Sequence, residues 1–231
     1  MSKIVTKKKA AGGKPITAWS FSRLGVYEQC PFKFKLVYVD GLKEPGSAAM
    51  DRGKAIHAEG EAYLKNADAA LPDSYKLLAV EMEELRASKA LSELEITFTA
   101  DWGPTGWFDD NAWLRIKIDA LLEKDGKVQI IDFKTGKNRG GYEDQLELYA
   151  LAALIMYPDA KEISAELWFL DSGEIIGTSH GAYSHTDVND LKKKWLQRSN
   201  KMFIDTLWSP RANQYCRWCH FRKENNGPCQ Y

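Results

Sequence analysis

The sequence contains no run of about 18 consecutive apolar residues, the length a helix needs to cross a bilayer, so no membrane span is expected. Its first residues, MSKIVTKKKAAGGKPI, are charged but lead into no apolar stretch of signal-peptide type, which points to a cytoplasmic protein. Neither sign of charge is in excess. Lys and Arg number 32 and so do Asp and Glu, so the overall basic footprint of many nucleic-acid binders is missing. No G-x-x-x-x-G-K-[ST] segment occurs, which excludes an ATP-driven helicase of the P-loop kind. Internal repeats are absent. Cysteine is scarce, four in the chain, and thiols in a reducing compartment bind metal or stay inert rather than form disulfides.

What is present is aromatic and locally charged. Eight Trp and ten Tyr in 231 residues supply core, with some available to stack on bases. Lys7, Lys8 and Lys9 form a basic tail, Lys192, Lys193 and Lys194 a second cluster, and Arg211, Arg217, Arg222 and Lys223 surround the last cysteines. Glu81, Glu83, Glu84, Glu93 and Glu95 form an acidic stretch. For each cluster the plain reading is a solvated face.

Residues 1–16 read as a disordered basic arm, 17–208 as one folded domain, and 209–231 as a Cys-rich segment. Ser20 or Ser22 can cap a first helix running toward Cys30-Pro31. Helices are expected over 51–66, 73–90, 142–156 and 187–207, and strands over 93–99, 113–123, 127–134, 162–170 and 174–183. That order implies an α/β or α+β domain around a central mixed sheet.

Asp125-Gly126 between two alternating runs is a strong hairpin signal. With those two residues as the turn, paired positions sum to 251 and Asp119 falls opposite Asp132. Alternation puts Lys134 on the same face as Asp132. The other face carries Leu114, Ile116, Ile118, Ala120 and Leu122 from the first strand, with Ile131 and Phe133 from the second, and reads as core. Two like charges set opposite each other destabilise a sheet unless something neutralises them, and a divalent cation with oxygen ligands, magnesium or manganese, does so. Beside it, Lys134 could orient water or offset charge on a phosphate. The alternative is an ordinary exposed hairpin with a polar outer face.

Cys216 and Cys219 form C-x-x-C, Cys229 follows ten residues on, and Cys30 lies far upstream before Pro31. Thiolates in such a set can ligate zinc, with His220 able to replace one of them, or an iron–sulfur cluster. They can also be four unrelated buried thiols.

Several segments in order carry a family resemblance. Ile130-Ile131-Asp132-Phe133-Lys134-Thr135-Gly136 resembles the D-x-K-T-G segment of RecB-type nucleases of the PD-(D/E)xK superfamily, which have a restriction-endonuclease-like core. Ser20-Phe21-Ser22 with Leu24 and Cys30-Pro31-Phe32 resembles that family's N-terminal segment, and Arg52-Gly53 with His57 its R-G-x-x-x-H helix. Asp119 matches the first metal-binding aspartate, and Gln145 with Tyr149 the Q-x-x-x-Y helix. The sequence departs from the pattern where relatives often carry Gly shortly before the first Asp; here Ile116-Lys117-Ile118 fills the stretch.

The resemblance implies a metal-dependent DNA nuclease, an exonuclease on single-stranded ends rather than an endonuclease, acting in recombination, repair or replication. It implies His57, Asp119, Asp132 and the Phe133 carbonyl as ligands of Mg2+ or Mn2+, Lys134 as the catalytic lysine, and Gln145 and Tyr149 as groups placing DNA or that lysine. Glu61 and Glu95 are further candidates near the site. The cysteine layout resembles the iron–sulfur nucleases of the AddB and CRISPR-adaptation type, implying a [4Fe–4S] cluster on Cys30, Cys216, Cys219 and Cys229, with structural zinc as the alternative. Two other readings remain: a catalytically silent DNA-binding module, and a nuclease subunit that works only with a helicase or recombination partner.

Overall fold

The computed structural model describes residues 16–178 and 183–231, so the arm expected over 1–16 lies almost wholly outside the described residues, as does part of the strand expected over 174–183. Five strands form one sheet in sequential order: β1 (Leu91–Phe98), β2 (Leu114–Lys124), β3 (Lys127–Lys134), β4 (Glu162–Phe169) and β5 (Glu174–Gly177). The β2–β3 and β4–β5 pairs are antiparallel and β3–β4 is parallel, which makes the sheet mixed. The helices are α1 (Phe21–Gln29), α2 (Pro31–Phe34), α3 (Ala48–Lys65), α4 (Ala79–Ala87), α5 (Glu143–Met156) and α6 (Val188–Ile204). Among the described residues no helix is long and apolar enough to cross a membrane. The α+β class follows directly from this order.

The chain forms two compact units, one from Ser47–Ile96 and Ile116–Lys192, the other from Met1–Gly46, Thr97–Arg115 and Lys193–Tyr231. In the first, the β2–β3 hairpin closes on Asp125 and Gly126, both with positive φ (54° and 78°), the backbone a two-residue type I′ turn demands. The pairs run from Lys124↔Lys127 to Ala120↔Ile131, the register expected of that turn. A parallel β3–β4 pair needs a crossover, and α5 supplies it. That helix is apolar almost all round, with nine of its residues buried, so it is a core helix. On the opposite face Ala120, Leu122, Ile131, Phe133, Trp168 and Leu170 meet Ile56 and Tyr63 of α3, Met82 and Leu85 of α4, and Tyr75 and Leu78 between them.

The helix expected over 73–90 is in fact a 3₁₀ segment, Asp73–Leu78, followed by α4, with Leu78 leaving helical geometry at ψ 33°. Burying Tyr75 drives this departure. Its hydroxyl donates to Ile56 O at 3.0 Å and lies so close to Gly60 that a Cβ there would come within 2.2 Å of it. Only glycine lets α3 and Tyr75 pack this way.

The second unit is built on aromatic rings. Trp19, fully buried, meets Trp113 edge-on with centroids 5.3 Å apart and stacks on Trp195 of α6 at 5.9 Å. Phe34 of α2 stacks on Trp208 at 5.8 Å. The Trp19 amide donates to Trp113 O at 2.8 Å, and the Arg115 amide donates to Trp19 O at 2.9 Å. Across the chain, six tryptophans (19, 102, 113, 168, 195 and 208) are buried, so tryptophan here is mostly core.

Candidate active site

The middle of β2 brings Asp119 to α3, and the end of β3 brings Asp132 to α5. The paired ladder ends at Ala120↔Ile131, and one step further the Phe133 amide donates to Asp119 Oδ2 at 2.6 Å. Asp119 Oδ1 lies 2.9 Å from His57 Nδ1, reached from the middle of α3. Asp119 is 8% exposed. Burial pushes its carboxyl above the ordinary carboxylate range; the hydrogen bond to His57 works against this, and the charge on Asp132 adds to it. The same hydrogen bond holds the His57 proton above its ordinary value, against a smaller opposing effect of burial.

Glu93 of β1 completes this group. Donor atoms of His57, Glu93 and Asp119 all lie within 4.8 Å of one another, the one such set of three or more His, Cys, Asp or Glu donors among the described residues. Glu93 is ion-paired with Lys117 and has φ +54°, a left-handed backbone that is uncommon for a side chain without a short polar group. Strain at such a position fits a side chain held for use rather than for packing. Glu61 and Glu95 do not join the set; Glu61 lines the same surface cavity but is ion-paired with Lys65 at 2.5 Å.

Asp132 stands apart from that triplet, because its oxygens face α5 and Lys134. Oδ1 accepts from Tyr149 Oη at 2.6 Å and from Gln145 Nε2 at 3.4 Å. Gln145 Nε2 also donates to Tyr149 Oη at 2.8 Å, which leaves the tyrosine proton for Asp132. Burial, with the charge of Asp132 next, drives the Tyr149 pKa well above 10, so the phenol stays a donor. Oδ2 of Asp132 is buried and ion-paired with Lys134 Nζ at 2.5 Å. The donor atoms of His57, Glu93 and Asp119, an imidazole and two carboxylates within 4.8 Å of one another, are what an oxygen-preferring divalent cation would draw together. The residues present therefore fit Mg2+ or Mn2+.

The protons now on the site set its pH behaviour. An imidazole ligand must be neutral, and His57 keeps its proton to a higher pH than usual because it is bonded to Asp119. Metal affinity should therefore rise with pH through the range in which His57 deprotonates, above 6.5, and level off beyond it. Calorimetric titration with Mn2+ just below that range, in two buffers of different ionisation enthalpy, should show about one proton released per ion. Heats that do not depend on the buffer, with a flat pH profile, would count against His57 as a ligand.

The cysteines form a separate site in the aromatic unit. Cys30, Cys216, Cys219 and Cys229 line one cavity of about 190 Å3, together with Phe32, Leu36 and Phe221. Main-chain amides of Arg211 and Asn213 donate to the sulfurs of Cys30 and Cys216, each at 3.4 Å. The segment is bound to the end of α1 by Asn213 Nδ2, which donates to Gln29 O at 3.0 Å, and by the Arg211 guanidinium on Glu28 O. Burial raises the Cys219 thiol above its ordinary pKa, so a thiolate there calls for a cation.

A hairpin that delivers an aspartate and an Asp-x-Lys pair to a helical histidine, with a crossover helix behind it, defines the restriction-endonuclease-like α+β class. The family model of the PD-(D/E)XK nuclease superfamily matches residues 18–223. The chain is 25% identical to the Gene 69 protein of Mycobacterium phage D29, over 60% of this chain and 69% of that protein. A crystal structure from Eubacterium rectale, of a protein provisionally assigned as an exonuclease, superposes with a TM-score of 0.50 at 12% identity, covering 91% of this chain and 87% of that one. The structure of SSO0001 gives 0.42 at 18% identity, covering 90% and 85%. The protein belongs to the PD-(D/E)XK nuclease superfamily.

Proposed function

We propose that this nuclease is a divalent-metal-dependent deoxyribonuclease whose metal is held by His57, Asp119, Asp132 and the Phe133 carbonyl, with Glu93 as a further donor. The observation that carries the reading is Lys134 Nζ set 2.5 Å from the buried Asp132 Oδ2, next to the His57–Glu93–Asp119 group. A bound Mg2+ or Mn2+ would polarise the phosphodiester and lower the pKa of the attacking water. The chain's own groups do the rest. Lys134 places a positive charge where negative charge develops on the phosphate. Asp132 holds that ammonium in place, and Tyr149 fixes the carboxylate by donating to its other oxygen. Gln145 fixes Tyr149 in turn. Gln145 and Tyr149 thus act as positioning residues.

Tyr149→Phe tests that chain. It should lower kcat by about 10–100-fold with KM little changed, the usual cost of losing a group that orients a metal-site carboxylate. Steady-state kinetics check it; a raised KM at unchanged kcat would make Tyr149 a DNA contact instead.

The preferred substrate is a free single-stranded DNA end, in recombination, repair or replication and in the cytoplasm, alone or with a helicase or recombination partner. Support comes from the family match and from the fold shared with a protein provisionally assigned as an exonuclease. Linear single strands labelled at the 5′ or 3′ end, set against circular single strands and blunt duplex, test it. Loss of label as mononucleotides or short oligomers from linear strands, with circles intact, is expected. Circles cut as fast as linear strands would make the protein an endonuclease.

For the cysteines the proposal is a [4Fe–4S] cluster tying the segment 209–231 to the nuclease domain 17–208, with zinc as the alternative. Four cysteines lining one cavity, with main-chain amides donating to two of the sulfurs, support a thiolate-held group there.

A further inference from the structure

One tryptophan stands out from the buried six. Trp218 is 65% exposed, on the 3₁₀ turn Gln214–Trp218 between Cys216 and Cys219. Tyr215, 50% exposed, lies beside it, with ring centroids 6.4 Å apart and 42° between planes. The Arg217 guanidinium lies over the indole, 3.6 Å from its centroid. Burying neither ring leaves a large apolar area in water, a cost that packing does not repay here. Charge points to the occupant. Residues 209–231 carry four cations and one carboxylate, in a chain whose net charge is zero. The carboxylate, Glu224, is already engaged with Arg222 at 3.6 Å, and Arg217 and Lys223 have no acidic partner among the described residues.

We infer that Tyr215, Arg217, Trp218 and Lys223 form a binding surface for single-stranded nucleic acid, separate from the metal site. Unpaired bases stack on the two rings, and Arg217 and Lys223 neutralise backbone phosphates. Exposed aromatics interleaved with cations that no carboxylate neutralises are what a single strand needs, because every base has a π-face and every linkage a charge. A protein partner would instead favour an apolar centre with its charges at the rim. The aromatic turn is pinned on both sides by cysteines of the cavity, so an ion or cluster there would hold the rings rigid and lower the ordering cost of binding. The inference rests on the nuclease reading and deepens it, since such a surface would bind the same class of strand that the nuclease cuts.

The test uses the full chain, purified anaerobically and carrying Lys134→Ala so that it cannot cut. Anisotropy of a labelled oligothymidine of about 20 nucleotides is followed as protein is added, at several salt concentrations. Adding Trp218→Ala should weaken binding about tenfold, as loss of a stacking ring does. Trp218→Phe should retain most of the affinity, and Arg217→Gln should flatten the salt dependence. The idea fails if Trp218→Ala binds as its parent does, or weakens blunt duplex as much as single strand. It also fails if that variant loses only its visible absorbance or lowers Tm while binding is unchanged, which would make the rings a shield for the cysteine site. Wild-type cleavage is measured in parallel. A protein that binds by this surface and never cuts overturns the nuclease reading alone, and one that cuts with Trp218 dispensable overturns this inference alone.

Discussion

Lys134→Ala should slow cleavage by about 10²–10⁴-fold while leaving metal binding in place. The magnitude is that of removing one charge-stabilising or proton-handling group from an enclosed site. Selectivity follows from the geometry. The ammonium contacts Asp132 Oδ2, on the side facing away from Tyr149, and takes no part in the His57–Glu93–Asp119 set. The side chain is one-quarter exposed, so truncating it opens no large internal cavity. Single-turnover rates at saturating Mn2+ and calorimetric Mn2+ affinity, measured on the same preparation, separate chemistry from binding. Loss of rate and of metal affinity together would make Lys134 a structural counter-charge. An unchanged rate would remove it from the reaction.

Cys216→Ala should cost stability on a scale that few surface changes reach. A group that joins Cys30 to Cys216, Cys219 and Cys229 closes a loop of nearly the whole chain. In the chain-entropy picture a cross-link over such a loop is worth up to about 5 kcal/mol. For a protein of this size that corresponds to a fall in Tm on the order of 10–20 °C. The hydrogen bonds from Asn213 and Arg211 to the end of α1 retain part of the attachment, so the segment should loosen before the aromatic core melts. Differential scanning calorimetry reads the stability, and visible absorbance near 400 nm with metal analysis reads the occupant. If the variant keeps its Tm and its metal content, Cys216 is not a ligand. Zinc in place of iron would keep the staple and change its composition.

The hairpin was readable from residues alone because Asp-Gly has few backbone solutions between two alternating strands, and one register then places the carboxylates. His57, Gln145 and Tyr149 were found through the order of motifs, since a single helical histidine or an i, i+4 polar pair has no distinctive pattern. What the motifs could not convey was the division of labour: Asp132 bonded to α5 and Lys134, Asp119 to α3 and the Phe133 amide. Those bonds span from 2 to 62 residues and depend on which face each helix covers. Glu93 was missed for a local reason. In the sequence it was one glutamate of an acidic stretch at the start of an expected strand, whereas in the fold its backbone is left-handed (φ +54°) and its carboxylate joins His57 and Asp119. Nothing in a one-dimensional pattern signals a positive φ at glutamate. Tryptophan, weighed as core or stacking platform, is mostly core: six are buried, while Trp218 lies exposed beside the cysteines.

The most direct test of the metal-site account is cleavage of end-labelled single-stranded DNA by the wild type and by Asp119→Ala, after EDTA treatment and across a titration with Mn2+ or Mg2+. Asp119 is the choice because it joins His57, the Phe133 amide and the Glu93 group at one carboxylate. The account predicts no cleavage in EDTA, saturable recovery in the wild type with either ion, and none in Asp119→Ala at any concentration. Cleavage that persists without metal, or an identical activation curve in the variant, would contradict it.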